Sequence, residues 1–187
     1  VAGAGEGAID LSGSTAITLP VLSAHYTGST PTDAAMYLIG NNITFNAEAS
    51  TNTSATGTGT NGNGNGAVVI QNAGLLTMVQ GADMGYDVAG GATPGLAGQF
   101  LQLGAGTVTM GNNITTQGDV VFFNSAVTFN AAPATTTSLI NTTGSGNAAG
   151  ANIIFDSSLN GTSLVGIDGQ NNVTLHAGTG GDIFFYG

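Results

Sequence analysis

The side chains that could carry out acid–base or metal chemistry are few and lie far apart in this sequence. The only imidazoles are His25 and His176, and the carboxylates nearest to them in sequence are Asp33 and Asp182. Two imidazoles with carboxylate partners could bind a transition metal. Solitary histidines in turn-like segments are far more often surface residues, however, so we predict neither a metal site nor a cofactor.

A second candidate for chemistry is the carboxylate pair Asp83 and Asp87, with Tyr86 beside it in GADMGYDVAGG. Glycoside hydrolases place two carboxylates on either side of the scissile bond, although a loop with exposed carboxylates is the simpler interpretation.

No GxSxG elbow supports a serine nucleophile. The GTGTNG at 57–62 matches GxGxxG by letter, but no βαβ pattern surrounds it. We therefore predict that the chain is not an enzyme.

The composition excludes several other classes of function. The 187 residues include no Lys, no Arg and no Cys, and the 10 carboxylates give a net charge of −10. Without basic side chains the chain lacks the counterion release that drives nucleic-acid binding, and it lacks attraction to anionic lipid surfaces. No apolar run has the 18 or more residues of a membrane span. We predict no nucleic-acid partner and no membrane insertion.

Short apolar segments separated by Gly, Asn, Thr and Ser predict an all-β fold. The 32 glycines disfavour helices, and no segment sustains a 3.6-residue apolar period. The predicted strands are 8–11, 16–19, 36–39, 43–46, 67–71, 75–79, 100–103, 107–110, 120–123, 126–129, 138–140, 152–155, 173–175 and 183–185.

Internal repeats indicate a β-solenoid, in which each repeat stacks on its neighbours. Asn-Asn-(Ile/Val)-Thr occurs at 41–44, 112–115 and 171–174, with starts 71 and 59 residues apart. A tandem copy of the whole chain would place the next start 57 residues after the last one. Coils of roughly 20 residues, near the short end of solenoid repeats, would give about eight or nine turns.

A second motif, an Asp or Asn followed by three apolar residues of which the last is Phe, occurs at 119–122, 152–155 and 182–185. Equivalent residues of successive coils in such a fold stack about 4.8 Å apart. The motif therefore predicts two ladders, an internal aromatic column of Phe122, Phe155 and Phe185 and a turn ladder of Asp119, Asn152 and Asp182.

The strand and turn segments of this sequence resemble the β-helical repeats of filamentous-haemagglutinin-type exoproteins and autotransporter passenger domains. The resemblance is carried by GDVVFFNSAVTFNA at 118–131, GANIIFDSSLNGT at 150–162 and NNVTLHAGTGGDIFFYG at 171–187. It extends over 104–187 and, more loosely, over the first 50 residues. It implies a right-handed parallel β-helix, secretion, and a role at a cell surface or in an extracellular fibre. A β-sandwich filament subunit is the alternative fold.

Two features concern the surface of this fold. The low-complexity stretch at 50–66 predicts an exposed loop. Asn-X-Ser/Thr sequons make six asparagines candidate glycosylation sites, with unmodified turn asparagine as the alternative; they are Asn52, Asn42, Asn113, Asn141, Asn160 and Asn172.

The chain also lacks the devices that keep sheet proteins apart. Natural sheets guard exposed edges with charges, especially Lys, and with Pro, whereas this chain has no Lys and 4 Pro. We predict one β-solenoid segment over 1–187, either a whole subunit or one period of a longer array, that joins copies of itself end to end in an extracellular or cell-surface fibre.

Four alternative functions remain open. The first is an adhesin module that binds cell-surface glycans through 50–66 or 83–86, and the second is a pilus-like subunit joined by strand donation. The third is an ice-binding face, suggested by Thr107 and Thr109. The fourth is a polysaccharide-degrading β-helix.

Overall fold

The computed structural model describes residues 9–19, 22–23, 36–46, 49–50, 67–85, 95–96, 98–129, 137–156, 167–169 and 172–186. Within these ranges the chain forms β-strands, one 3₁₀ turn at Gly144–Gly146 and no α-helix. The strands are β1 (Ile9–Leu19), β2 (Leu22–Ser23), β3 (Met36–Phe45), β4 (Ala49–Ser50), β5 (Val68–Asn72), β6 (Leu76–Met78), β7 (Phe100–Gln102), β8 (Val108–Met110), β9 (Ile114–Thr115), β10 (Val121–Phe123), β11 (Val127–Phe129), β12 (Thr137–Asn141), β13 (Ile153–Asp156), β14 (Ile167–Gly169), β15 (Asn172–His176) and β16 (Ile183–Tyr186).

The strands stack into three parallel faces. The first face contains the first half of β3 and continues through β5, β7, β10, β13 and β16. The second face contains the second half of β3 together with β6, β8, β11 and β14. Strand β1 pairs with β3 along both halves. The third face contains β2 with β4, and β9 with β12 and β15, joined through bridges from Met84 to Ala49 and Ile114.

This arrangement is a parallel β-solenoid, so the predicted all-β, parallel β-helical fold is confirmed. All pairings between the strands of the described residues are parallel. The alternative of a β-sandwich subunit is wrong, because a sandwich packs two antiparallel sheets face to face. A strand-donating subunit of sandwich fold therefore has no basis in this structure.

The strands form where apolar residues alternate with polar or β-branched ones. In β5, β6, β7, β8 and β10 the first and third residues are buried and the second is half-buried. Successive side chains of a strand point to opposite faces, so each strand of the solenoid sends one set inward and one outward. The inward set forms a single core in which Phe45, Phe100, Phe123, Phe129 and Phe155 are almost completely inaccessible to solvent.

The coils are longer than the sequence analysis predicts. Hydrogen bonds between side chains and the adjacent coil join residues 30 apart at three places in the chain and 22 apart between Gln102 and Asn124. A coil of about 20 residues thus occurs locally, whereas the other coils insert extra residues between faces. The number of turns is correspondingly smaller than predicted.

The three Asn-Asn-(Ile/Val)-Thr copies are not equivalent positions of the coil, which corrects their interpretation as a repeat. Ile43 pairs with Leu76 on the second face, whereas Ile114 lies on the third face, opposite Ile140. Val173 also lies on the third face, but Ile140 pairs with Leu175 rather than with Val173. Asn41 and Asn42 lie inside β3 and Asn172 begins β15, whereas Asn112 and Asn113 precede β9. The spacing of the motif therefore does not measure the repeat.

Candidate functional site

An aromatic column runs through the core of the first face. Phe123 stacks on Phe155 with ring centroids 5.3 Å apart and 8° between planes. Phe155 stacks on Phe185 at 5.0 Å and 1°, and Phe100 adds a tilted contact with Phe123 at 5.5 Å. Offset-stacked and tilted pairs at these distances each add about 0.5–1.5 kcal/mol beyond the burial of apolar area.

The predicted column contained Phe122 instead of Phe123, and this residue assignment is wrong. Phe122 pairs with Ile154, and Phe123 pairs with Phe155. Matching DVVF to NIIF by letter shifts the strand by one residue, and such a shift turns every side chain to the opposite side of the sheet. The observed register buries Val121 and Phe123 completely and leaves Phe122 on the outer surface, half-buried.

The same one-residue shift removes Asp119 from the predicted turn ladder. The register of β10 on β13 places Val120, not Asp119, opposite Asn152. Asp119 is buried and closes a local turn, in which its backbone N–H donates to Thr116 Oγ1 at 3.2 Å and its carbonyl accepts from that hydroxyl. Asn152 and Asp182 do lie together, since Asn152 Oδ1 accepts from the Asp182 N–H at 2.9 Å.

Similar side-chain to backbone bonds join other coils. Asp83 accepts from the backbone N–H of Asn113 at 2.9 Å and from its Nδ2 at 3.1 Å, and Asn113 Oδ1 accepts from Leu139 N–H at 2.9 Å. Asp83 is thus engaged in joining coils. Asp87 and Tyr86, its predicted partners in an acidic pair, lie outside the described residues.

A buried polar corner connects the first and second faces. It consists of Asn72, Gln102, Asn124 and Ser125, all at least nine-tenths buried. Gln102 Nε2 donates to Asn72 Oδ1 at 2.7 Å and to the Gly104 carbonyl at 2.8 Å, while its Oε1 accepts from Asn124 N–H and Ser125 Oγ at 3.0 and 3.2 Å. A Cβ at position 104 would overlap the backbone of Asn72, so a glycine is required beside this corner.

The last described coil exposes the row that is buried in the coils before it. Ile153 and Phe155 of β13 are 0% exposed, but their equivalents in β16, Ile183 and Phe185, are 40% and 54% exposed. Within the described residues β16 pairs with β13 alone, at the end of its sheet. We call the exposed side of β16 the open edge; its exposed side chains give it an apolar surface.

The outer surface of the second face carries a row of threonines. Thr44, Thr77, Thr109 and Thr128 pair in register from coil to coil, and each is half-buried or exposed. Thr18 on β1 is in register with Thr44. We call these four residues, Thr44 to Thr128, the threonine row. Sequence analysis found only Thr107 and Thr109, although a signal exists, because each Thr stands between two apolar residues (ITF, LTM, VTM and VTF).

The histidine prediction can be checked at one residue. His176 is exposed on β15, and its Nδ1 lies 3.4 Å from Thr143 Oγ1. The part of the chain that the structure describes contains no group of three or more His, Asp or Glu able to hold a metal ion. His25 and Asp33 lie outside it.

The sequons differ in their environments. Asn52 and Asn160 lie outside the described residues. Asn42 and Asn172 are exposed, and the Asn42 Oδ1 accepts from Leu75 N–H at 2.8 Å. Asn113 and Asn141 are half-buried. The Asn113 side chain donates to Asp83 and accepts from the Leu139 N–H in the adjacent coils, whereas Asn141 Oδ1 accepts from the nearby Thr143 N–H. A glycan attached to Asn113 would replace a hydrogen of the Nδ2 that binds Asp83.

The fold and these surfaces define the class of the protein as a parallel β-solenoid with polar corners, rows of identical residues and an open edge. Comparison with known proteins found no matching family model, no matching curated protein and no matching solved structure. No helix in the described ranges has the length and apolarity needed to cross a membrane.

The polar corner generates a stability prediction. Replacing Gln102 by Leu would leave the buried Asn72 Oδ1 without its donor, whereas the Asn124 N–H would still donate to the backbone carbonyl of residue 102. We therefore expect a loss of about 1–3 kcal/mol in the free energy of unfolding. The control is Gln71→Leu on the half-exposed outer side of the adjacent coil, with an expected change within about 0.5 kcal/mol. Urea unfolding followed by circular dichroism measures both, and equal stabilities of the two variants would contradict the role assigned to Gln102.

Proposed function

We propose that the chain is a structural unit of a secreted extracellular fibre, sheath or surface filament, in which the solenoid continues past β16 through another coil of the same kind. The observation that carries the proposal is the exposure of Phe185, which is stacked on Phe155 on one side and 54% exposed. A further coil would bury this ring as Phe155 is buried. The covering coil belongs either to the same polypeptide or to a second copy.

The surface chemistry supports the same proposal. The open edge carries Ile183, Phe185 and Tyr186 at 40–54% exposure, and the chain has no lysine with which to guard it. Unprotected edges with apolar side chains are templates for pairing with another strand. The open edge is therefore suited to end-to-end stacking of parallel coils.

Secretion and an extracellular location also belong to the proposal. They follow from the resemblance of the strand and turn phrases to exported β-helical proteins, and they agree with a chain that offers trypsin-like proteases no Lys or Arg. Adhesion to glycans through the loop at 50–66 stays a prediction, because residues 51–66 lie outside the described ranges.

Blocking the open edge is expected to prevent assembly. In Phe185→Glu a charge replaces the exposed ring, and a stacked coil would have to bury that charge without a cationic partner. We expect wild type to form rods whose length grows with protein concentration and this variant to stay monomeric, as measured by light scattering and electron microscopy.

The control for this experiment is Leu75→Glu, which introduces the same charge at a residue that is 41% exposed and distant from the open edge. It is expected to assemble like wild type. A wild type that remains monomeric at millimolar concentration, or a Phe185→Glu variant that assembles normally, would contradict the proposal.

The threonine row favours ordered-water or ice binding as a second candidate function. The row presents identical hydroxyl and methyl groups about 4.8 Å apart on a rigid sheet. No hydrogen bond to another described residue engages these four hydroxyls. A preformed, regular array loses little conformational freedom on binding a lattice, and Thr107, exposed beside Thr109, widens the array at one coil.

Thr109→Glu tests this second function, because a long charged side chain would interrupt the row at its centre. If the row binds ice, we expect wild type to lower the freezing point relative to the melting point and the variant to lose that difference. Thr174→Glu, at an exposed position on the third face, serves as the control and should retain it. Absence of any such difference in wild type would remove ice binding as a function.

A further inference from the structure

Two buried side-chain oxygens of the third face have no hydrogen-bond partner among the described residues. They are Asn112 Oδ1 and Ser138 Oγ, and these residues are 2% and 0% exposed. A buried polar atom without a partner destabilises a fold, and the large majority of buried polar side chains in proteins bond to protein or to ordered water. The two oxygens therefore require a partner.

Asn112 and Ser138 occupy equivalent positions in adjacent coils. The strands that follow them, β9 and β12, pair in register, and counting back along this register places Asn112 opposite Ser138. Between these positions and the paired strands, the Leu139 N–H donates to Asn113 Oδ1 at 2.9 Å, which extends the same alignment. Because both side chains are buried, they face the same space inside the third face.

The preceding coil fixes the orientation of the Asn112 amide. Asn112 Nδ2 donates to the Ala82 carbonyl at 2.6 Å. A carbonyl oxygen can only accept a hydrogen bond, so the Nδ2 must face Ala82 and the Oδ1 must turn away from it. Met84 bridges to Ile114 in the same direction, which places the coil of Ala82 on the opposite side of Asn112 from Ser138. The unpaired Oδ1 is thus left for the coil of Ser138.

The chemistry of the two atoms defines what can join them. Asn112 Oδ1 can only accept a hydrogen bond, whereas the Ser138 hydroxyl can donate or accept. No direct bond joins the two atoms, and the coils that carry them are about 4.8 Å apart, whereas a direct O–H···O bond needs a separation of roughly 2.7 Å. A small molecule between them, able both to donate and to accept, can bond to both.

Water suits this position better than a metal ion does. Hard cations take about six or more oxygen ligands, and the unpartnered side-chain oxygens here are only Asn112 Oδ1 and Ser138 Oγ, neither of which is charged. A water molecule can donate to Asn112 Oδ1 and either donate to or accept from Ser138 Oγ. It would then have two partners, within the two to four hydrogen bonds of buried waters.

Small side chains make room at this position. Ala82 and Ser138 lie on the two sides of Asn112 along the stack, whereas the neighbouring buried column of the third face contains Met84 and Ile114. A buried water needs a polar site with about the volume of one water-sized probe, and alanine and serine fill less of the interior than methionine and isoleucine do.

We propose that Asn112 Oδ1 and Ser138 Oγ bind one buried water molecule, which completes a hydrogen-bonded chain from the Ala82 carbonyl through Asn112 to Ser138. The chain joins three successive coils inside the third face, as the polar corner joins coils between the first and second faces. It explains why β12 has a serine at a completely buried position, where an alanine would bring no hydroxyl into the core. The site does not depend on the proposed fibre function.

The first test is the sign of a change in stability. If water bridges the two oxygens, Ser138→Ala leaves both the water and Asn112 Oδ1 with one partner fewer. It should then lower the melting temperature by at least about 2 °C more than the control does. The control is Thr137→Ala, at the exposed position beside it, which measures the effect of alanine on the same strand. If the hydroxyl has no partner, Ser138→Ala removes an unpaired polar group, and an unchanged or raised melting temperature would overturn the proposal.

The second test asks whether the two residues act through one another. In an Asn112→Ala background the water has already lost its other partner, so Ser138→Ala should lower the melting temperature much less than it does in wild type. An equal loss in the two backgrounds would mean that the residues are not linked, and the proposal would fail. If Asn112→Ala does not fold, a crystal structure decides the question.

A crystal structure at a resolution that shows ordered water observes the site directly. The expected result is one density peak at hydrogen-bond distance, roughly 2.6–3.2 Å, from both Asn112 Oδ1 and Ser138 Oγ, which disappears in Ser138→Ala. A direct bond from the Ser138 hydroxyl to Asn112 Oδ1, or well-ordered side chains with no peak between them, would overturn the proposal. Since neither result depends on assembly, failure of the fibre proposal would leave this site untouched.

Discussion

The rest of this structure depends on the parallel, in-register hydrogen bonding of each coil on the coil before it. This register decides which residues become neighbours, because every strand alternates inward and outward side chains along its length. It aligns Phe123 with Phe155 and Phe185 inside the first face, and Thr44 with Thr77 and Thr109 on the outside of the second. A shift by one residue at a single coil would bring the outer row of that coil into the core. The side chains that pin the register are consequently those that bond across coils, such as Asn152 with the Asp182 N–H and Gln102 with Asn72.

The same register accounts for a surface that has almost no charge. In a solenoid each backbone group of a strand bonds to the coils on either side, so the strands in the middle of the stack need no charged edge protection. The need for protection is concentrated at the two ends and on the flat faces. At the open edge the structure presents Phe185 and Ile183, and the outer surface of the first face carries half-buried apolar side chains such as Leu101 and Phe122. The absence of Lys and Arg, which excludes several classes of function, also supports the proposal that the open edge is covered by more of the same protein.

The fold was largely predictable from the sequence, whereas the pairing of particular residues was not. Every predicted strand overlaps an observed one, since apolar residues at alternate positions with glycine and asparagine between them indicate short strands. The strands that were missed, β2, β4, β9 and β14, have two or three residues and too little alternation to detect. Phe122 was assigned in place of Phe123 because letters alone do not show which of two adjacent phenylalanines faces the core. The threonine row was missed because extra residues at the corners vary the spacing, with Thr77 and Thr109 farther apart than Thr109 and Thr128.

X-ray diffraction from aligned fibres of the wild-type protein tests the central claim most directly, because it reports the direction in which the coils stack. If units continue the solenoid through their open edges, the strands lie across the fibre and a strong reflection near 4.8 Å falls on the fibre axis. A fibre that lacks this axial reflection, or that shows it perpendicular to the axis, would contradict assembly by continued stacking of coils.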